Sequence, residues 1–153
     1  DKERIPCPRE LAMKIAMHSE RNLRRALLML EAARVAQPAL SPDQLAQLPD
    51  WELYIAKLAR DILEEQSPSQ LLKSRDMMYE LLTNCIPADV ILSTMTRELC
   101  KTAADDDLKH EIVYWGAYYE ARIKPGTKEI FHLEAFVAKV MAVYKKWMVS
   151  MFD

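Results

Sequence analysis

Glycine is nearly absent from this sequence of 153 residues, occurring only at Gly116 and Gly126. Glycine-rich phosphate loops, tight hairpin turns and the Rossmann fingerprint need residues free to take positive φ, so most nucleotide-binding enzyme folds are removed. Cysteine is scarce as well. Cys7, Cys85 and Cys100 are an odd number at wide spacing with no C-x-x-C pair. Neither a disulfide framework nor a zinc knuckle is indicated, and a reducing compartment is expected. No uncharged apolar run approaches the roughly 18 residues that a membrane span needs, and no charged-then-apolar leader opens the chain, so a soluble intracellular protein is expected. The sequence starts at Asp1 in a polar stretch without an initiator Met, which leads us to expect a piece of a longer polypeptide.

What is present is helix-forming. Half the residues are apolar, enough for a chain of this length to bury about 70% of its unfolded surface. The abundant types are Ala, Leu, Met, Glu, Lys and Arg, which lose least side-chain freedom in a helix. The fold class is all-α. Charge is uneven: residues 1–38 hold eight Lys/Arg against five Asp/Glu, whereas residues 39–153 hold thirteen against eighteen. The basic end suits phosphates, and the acidic remainder is a poor surface for sequence-independent DNA binding.

Periodicity predicts one helix near 9–18, with Leu11, Ile15 and Ala16 on one face. A second is expected near 20–36, capped by Ser19, with Leu23, Ala26, Leu27 and Leu30 as its inward stripe. Pro38, Pro42 and Pro49 then mark a linker over residues 39–49. It has room for one short turn starting at the capping box Ser41-Pro42-Asp43-Gln44. Five helices are expected beyond it, opened in turn by Asp50, Ser67-Pro68, Pro87, the acidic run Asp105-Asp106-Asp107, and Lys128 after the breaker Pro125-Gly126. The fourth of these sets Leu108, Ile112, Trp115, Tyr119 and Ile123 on one stripe. The last is apolar over more than half its circumference, from Ile130 through Phe136, Val140 and Tyr144 to Trp147 and Met148. Such a helix is central to a bundle or faces a second chain.

Candidate chemistry is thin. His18, His110 and His132 fall on three different helices, and no H-E-x-x-H pair sets two on one face, so no metal site is expected. Cys85 and Cys100 read as small core residues, without a neighbouring base to activate a thiol. The one constellation suited to a ligand is Arg21-Asn22-Leu23-Arg24-Arg25, whose guanidinium groups gather at a helix start where free N–H groups also favour an anion. The same spacing also describes the wet side of an amphipathic helix.

Ser19-Glu20-Arg21-Asn22-Leu23-Arg24-Arg25-Ala26-Leu27-Leu28-Met29 resembles the lid segment of clamp-loader ATPases that carries the sensor-2 arginine. Tyr79-Glu80-Leu81-Leu82-Thr83-Asn84-Cys85-Ile86-Pro87, Tyr118-Tyr119-Glu120 and His132-Leu133-Glu134-Ala135-Phe136-Val137-Ala138-Lys139 resemble the C-terminal domain of replication factor C small subunits of the subunit 3 type. With Asp50-Trp51-Glu52 these segments cover nearly the whole chain in the expected order. The resemblance implies an AAA+ lid end over residues 1–38, the linker at 39–49, and a five-helix collar, or oligomerisation domain, over 50–153. It places Arg24 at the sensor-2 position.

The same resemblance implies a division of labour. The fragment would catalyse nothing and hold no cofactor, while ATP or ADP would bind elsewhere in the intact subunit. Its partners would be the other replication factor C subunits of a heteropentamer in the nucleus, with the sliding clamp and primer-template DNA contacted through domains outside this chain and no membrane involved. Phe136, Val140, Tyr144 and Trp147 are the candidate subunit-interface residues, expected to divide between the internal core and a neighbour. Two other readings compete with it: a helical adaptor in a related checkpoint or cohesion clamp-loader ring, and an independent enzyme or metalloprotein using the scattered His and Cys. The sequence departs from the family pattern at Gln37-Pro38-Ala39-Leu40, which lacks an aromatic residue, at Ala121, and at Gly116, placed inside a helix at about 1 kcal/mol relative to Ala.

Overall fold

In a computed structural model, residues 6–44, 46 and 48–151 are described. The chain divides into two compact units, the first ending at Asp50 and the second beginning at Trp51. Among the described residues all regular structure is helical: α1 (Arg9–His18), α2 (Leu23–Ala36), α3 (Asp50–Glu64), α4 (Pro68–Thr83), α5 (Ala88–Thr102), α6 (Asp106–Ile123) and α7 (Glu129–Ser150). No helix among them is long and apolar enough to cross a membrane.

The first unit is a helical pair around Leu11, Ile15 and Met29, with Ala26, Leu30, Leu40, Ala46 and Leu48 packed against them. Three expectations fail here. Ser19 ends α1 instead of opening α2: its amide donates to the carbonyl of Ile15 and its hydroxyl to that of Ala16. Glu20 and Arg21 then take left-handed φ values of 51° and 65°, so α2 starts only after Asn22, whose Oδ1 accepts the Arg25 amide at 3.2 Å. The inward face of α2 is also rotated. Met29 and Ala33 are buried, whereas Leu23 and Leu27 are exposed. A helix rich in Leu and Ala on every side offers several i, i+3, i+4 stripes, and the contact with α1 selects one of them. Among its described residues the segment after α2 makes a turn at Pro42-Asp43, held by the Ser41 hydroxyl and by Lys14 Nζ on the Pro42 carbonyl at 3.0 Å. Gln44 does not complete a capping box, because its Nε2 donates instead to the carbonyl of Ala33 near the end of α2.

The second unit packs α3 to α7 around one core. Helix α3 turns Ile55, Leu58, Ala59, Ile62 and Leu63 inward, and Gln66 Nε2 satisfies the final carbonyls of Ile62 and Leu63. Helix α4 starts as its sequence dictates, with Ser67 Oγ accepting the Gln70 amide and Pro68 in the first turn. It stops in a Schellman turn: the amides of Cys85 and Ile86 donate to Leu82 and Leu81, with Cys85 at φ 61°. Asp105 caps α6 by accepting the Leu108 amide. Helix α7 contacts α4, α5 and α6 and buries Ile130, Leu133, Phe136, Val137, Val140 and Met141. Gly116 lies where α6 presses on α5. A Cβ there would sit 2.8 Å from Thr96 Oγ1 and 3.0 Å from its Cγ2, so the missing side chain is a packing requirement and not a helix defect.

Candidate assembly and phosphate surfaces

Arg24 stands at the second position of α2 and is exposed, as is Arg21, while Arg25 is partly buried. The cap at Asn22 fixes the direction of the first turn. An exposed guanidinium at a helix start, reinforced by the positive end of the helix dipole, suits a phosphate oxygen.

The four α7 candidates separate. Phe136 is 0% exposed and Val140 1%; Phe136 meets the Tyr119 ring at 6.3 Å, and both residues belong to the chain's own core. They are core and not interface residues, because nothing of them is left for a second chain to touch. Tyr144 and Trp147 are partly exposed and lie against each other at 5.6 Å.

Trp147 opens onto a feature that periodicity does not reveal. Helices α6 and α7 run antiparallel, with Trp115 opposite Lys139 and Leu108 near Trp147. Between them lie two adjoining hollows of about 380 and 340 Å³. Both are lined by Glu111, Val143 and Lys146. Leu108 and Trp147 continue the floor toward one end, and Trp115 and Tyr114 toward the other. Lys139 places its Nζ 4.2 Å from the Trp115 ring centre. Sequence periodicity does not mark Glu111, Tyr114, Trp115, Lys139 and Lys146 as site residues. The available signal was that α6 is apolar on its outward side too: Val113 is 51% exposed and Tyr114 62%.

Elsewhere the side chains serve the fold. Tyr54 donates to Glu80 at 2.5 Å between α3 and α4, and this hydrogen bond to a carboxylate, with some desolvation, pushes the phenol up to about 12. Burial raises the Cys100 thiol above its ordinary value, the opposite of what a nucleophile needs. Cys85, expected in the core, is exposed, since the left-handed turn carries it outward; all three cysteines are free. His18 and His110 are exposed and His132 is half-buried. Among the described residues no three His, Cys, Asp or Glu side chains gather as metal ligands.

The chain is similar to known proteins over its whole length. Residues 51–148 match the model of the replication factor C subunit 3 C-terminal domain, and residues 1–35 match that of the RCF1/5-like AAA+ ATPase lid domain. Replication factor C subunit 5 of Oryza sativa subsp. japonica is 49% identical over 99% of this chain and 42% of its own length. Replication factor C subunit 3 of Arabidopsis thaliana is 47% identical over 99% and 42%, and the Homo sapiens subunit 3 is 48% identical over 96% and 41%. The chain thus spans about two-fifths of the length of these relatives. With its helical C-terminal unit matched almost from end to end, the chain belongs to the replication factor C subunit family.

Proposed function

We propose that this chain is the assembly part of a clamp-loader subunit. Residues 50–153 form the collar through which the subunit joins four others in a ring, residues 39–49 are the linker, and residues 1–38 end an AAA+ lid. The intact ring uses ATP to load a sliding clamp on primer-template DNA in the nucleus. The fragment itself hydrolyses nothing and holds no cofactor, and the nucleotide of the intact subunit sits in a domain outside this chain. Arg24 takes the sensor-2 position and points at that nucleotide's phosphates, while Tyr144 and Trp147 face a neighbouring subunit. One observation carries the reading: the family match over 51–148 coincides with a five-helix unit that has a single core of its own.

The test is size-exclusion chromatography with light scattering, on this chain alone and then mixed with the collar domains of the other four subunits. A defined heteromeric complex is expected. A folded chain that binds none of them would reduce the likeness to shared ancestry. Which large subunit co-purifies separates the replicative ring from a checkpoint or cohesion ring.

A further inference from the structure

Two serines of this chain stand directly before proline, Ser41 and Ser67, and the fold treats them differently. Ser67 Oγ accepts the Gln70 amide at the head of α4 and donates to the Glu65 carboxylate, and the residues that follow it are helical. Ser41 is partly exposed and lies between α2 and α3, in a stretch without helix among its described residues. Its hydroxyl accepts the Asp43 amide at a long 3.4 Å. The stretch is strapped to the first unit. Leu40, Ala46 and Leu48 pack on that unit's core, Gln44 Nε2 donates to the Ala33 carbonyl at 2.6 Å, and Lys14 Nζ of α1 donates to the Pro42 carbonyl at 3.0 Å. The charge of Lys14 therefore rests on a neutral carbonyl beside Ser41, and among the described residues it pairs with no carboxylate.

We propose that Ser41 is a phosphorylation site for a proline-directed protein kinase, and that Lys14 holds the resulting phosphoserine and so fastens the strap to α1. Pro42 has no N–H. A kinase cleft with no acceptor at that position takes Ser41 and rejects a residue followed by an amide that would be left unpaired. The acceptor hydroxyl must also reach the γ-phosphate of ATP in line, which an irregular segment allows and a helix start does not, so Ser67 is excluded by its own cap. In the transfer, Ser41 Oγ gives its proton to the catalytic carboxylate of the kinase. A bond forms from Oγ to the γ-phosphorus, the bond from that phosphorus to the β–γ bridging oxygen breaks, and ADP leaves. The product carries about 1.5 to 2 negative charges at neutral pH. A charge-assisted hydrogen bond to such a group is roughly twice as strong as one to a neutral carbonyl, so Lys14 moves from Pro42 to the phosphate. The opposing carboxylate, Asp43, is exposed and screened by solvent.

The experiment treats the full-length subunit with a proline-directed serine/threonine kinase and ATP. Mass spectrometry maps the phosphate, and amide hydrogen exchange follows residues 40–44 before and after the reaction. A phosphate on Ser41 and none on Ser67 is expected, with exchange across 40–44 slowed roughly tenfold by the modification. Ser41→Ala should lose both the phosphate and the slowing. Lys14→Met, compared with its own unphosphorylated form so that any effect on folding cancels, should keep the phosphate and lose the slowing, whereas Lys14→Arg should keep both. An unmodified Ser41, or a phosphate on Ser67 in its place, overturns the site. A modified Ser41 with unchanged exchange, or equal slowing in Lys14→Met, overturns the part given to Lys14.

Discussion

Lys139 Nζ sits 4.2 Å above the Trp115 ring, and the same ring meets Tyr114 and Tyr118 edge-on at 5.2 and 5.4 Å. One cation thus ties α7 to an aromatic cluster on α6. At a half-exposed site such a contact contributes about 0.5–1 kcal/mol. Lys139→Met should therefore lower the unfolding free energy by about that amount in urea titration, while Lys139→Arg, which keeps a cation over the ring, should stay close to the parent. Equal losses for both would show that the contact is incidental.

Gly116 and Thr96 form a lock between α6 and α5. Ala is favoured over Gly in a helix by about 1 kcal/mol, but here its Cβ would meet a threonine whose Oγ1 is bonded to the Leu92 carbonyl at 2.8 Å. Overpacking of this kind costs about 1–3 kcal/mol. Gly116→Ala is expected to destabilise the parent and to stabilise a Thr96→Ala background, a change of sign that a double-mutant cycle by chemical denaturation would detect. The same sign in both backgrounds would refute it.

Cys85 holds a left-handed φ of 61° at the close of the α4 Schellman turn, where glycine is the usual residue. Relieving a Cβ from that conformation is worth roughly 1 kcal/mol. Cys85→Gly should raise the denaturation midpoint by a corresponding amount and leave helix content by circular dichroism unaltered. A lower midpoint would mean that the Cys85 side chain contributes more than its backbone strain takes away.

Tyr54 is the group whose titration should be visible in stability. Its folded value is raised to about 12 by the hydrogen bond to Glu80, so its contribution is fully present below the unfolded value near 10. That contribution is lost as pH climbs through the folded value. The melting temperature of the parent should fall more steeply between pH 10 and 12 than that of Tyr54→Phe, with spectrophotometric titration showing one tyrosine ionising late. Parallel curves for the two proteins would remove Glu80 as the cause.

The helix boundaries were legible where local chemistry sets them. Ser67-Pro68 and Asp105 cap their own helices with their own atoms, whatever packs alongside. The start of α2 was not legible, because Ser19 and Asn22 are both good caps, and the choice turns on Glu20 and Arg21 accepting left-handed backbone. The α2 stripe failed for a related reason. Leu23 and Leu27 have the right spacing, but Met29 and Ala33 are the residues that α1 covers.

The sequence by itself determined the helical class, the order of the seven helices, the arginine cluster at the head of α2 and the breadth of apolar surface on α7, since each depends on neighbours a few residues apart. Only the tertiary structure decided that Phe136 and Val140 are buried in the chain's own core while Trp147, packed against that core, keeps part of its surface exposed. It alone set Glu111 and Lys146 on opposite sides of one furrow and gave Gly116 a threonine to clear. Periodicity gives the angle at which a side chain leaves its helix, but which angles are covered depends on where the other helices come to rest.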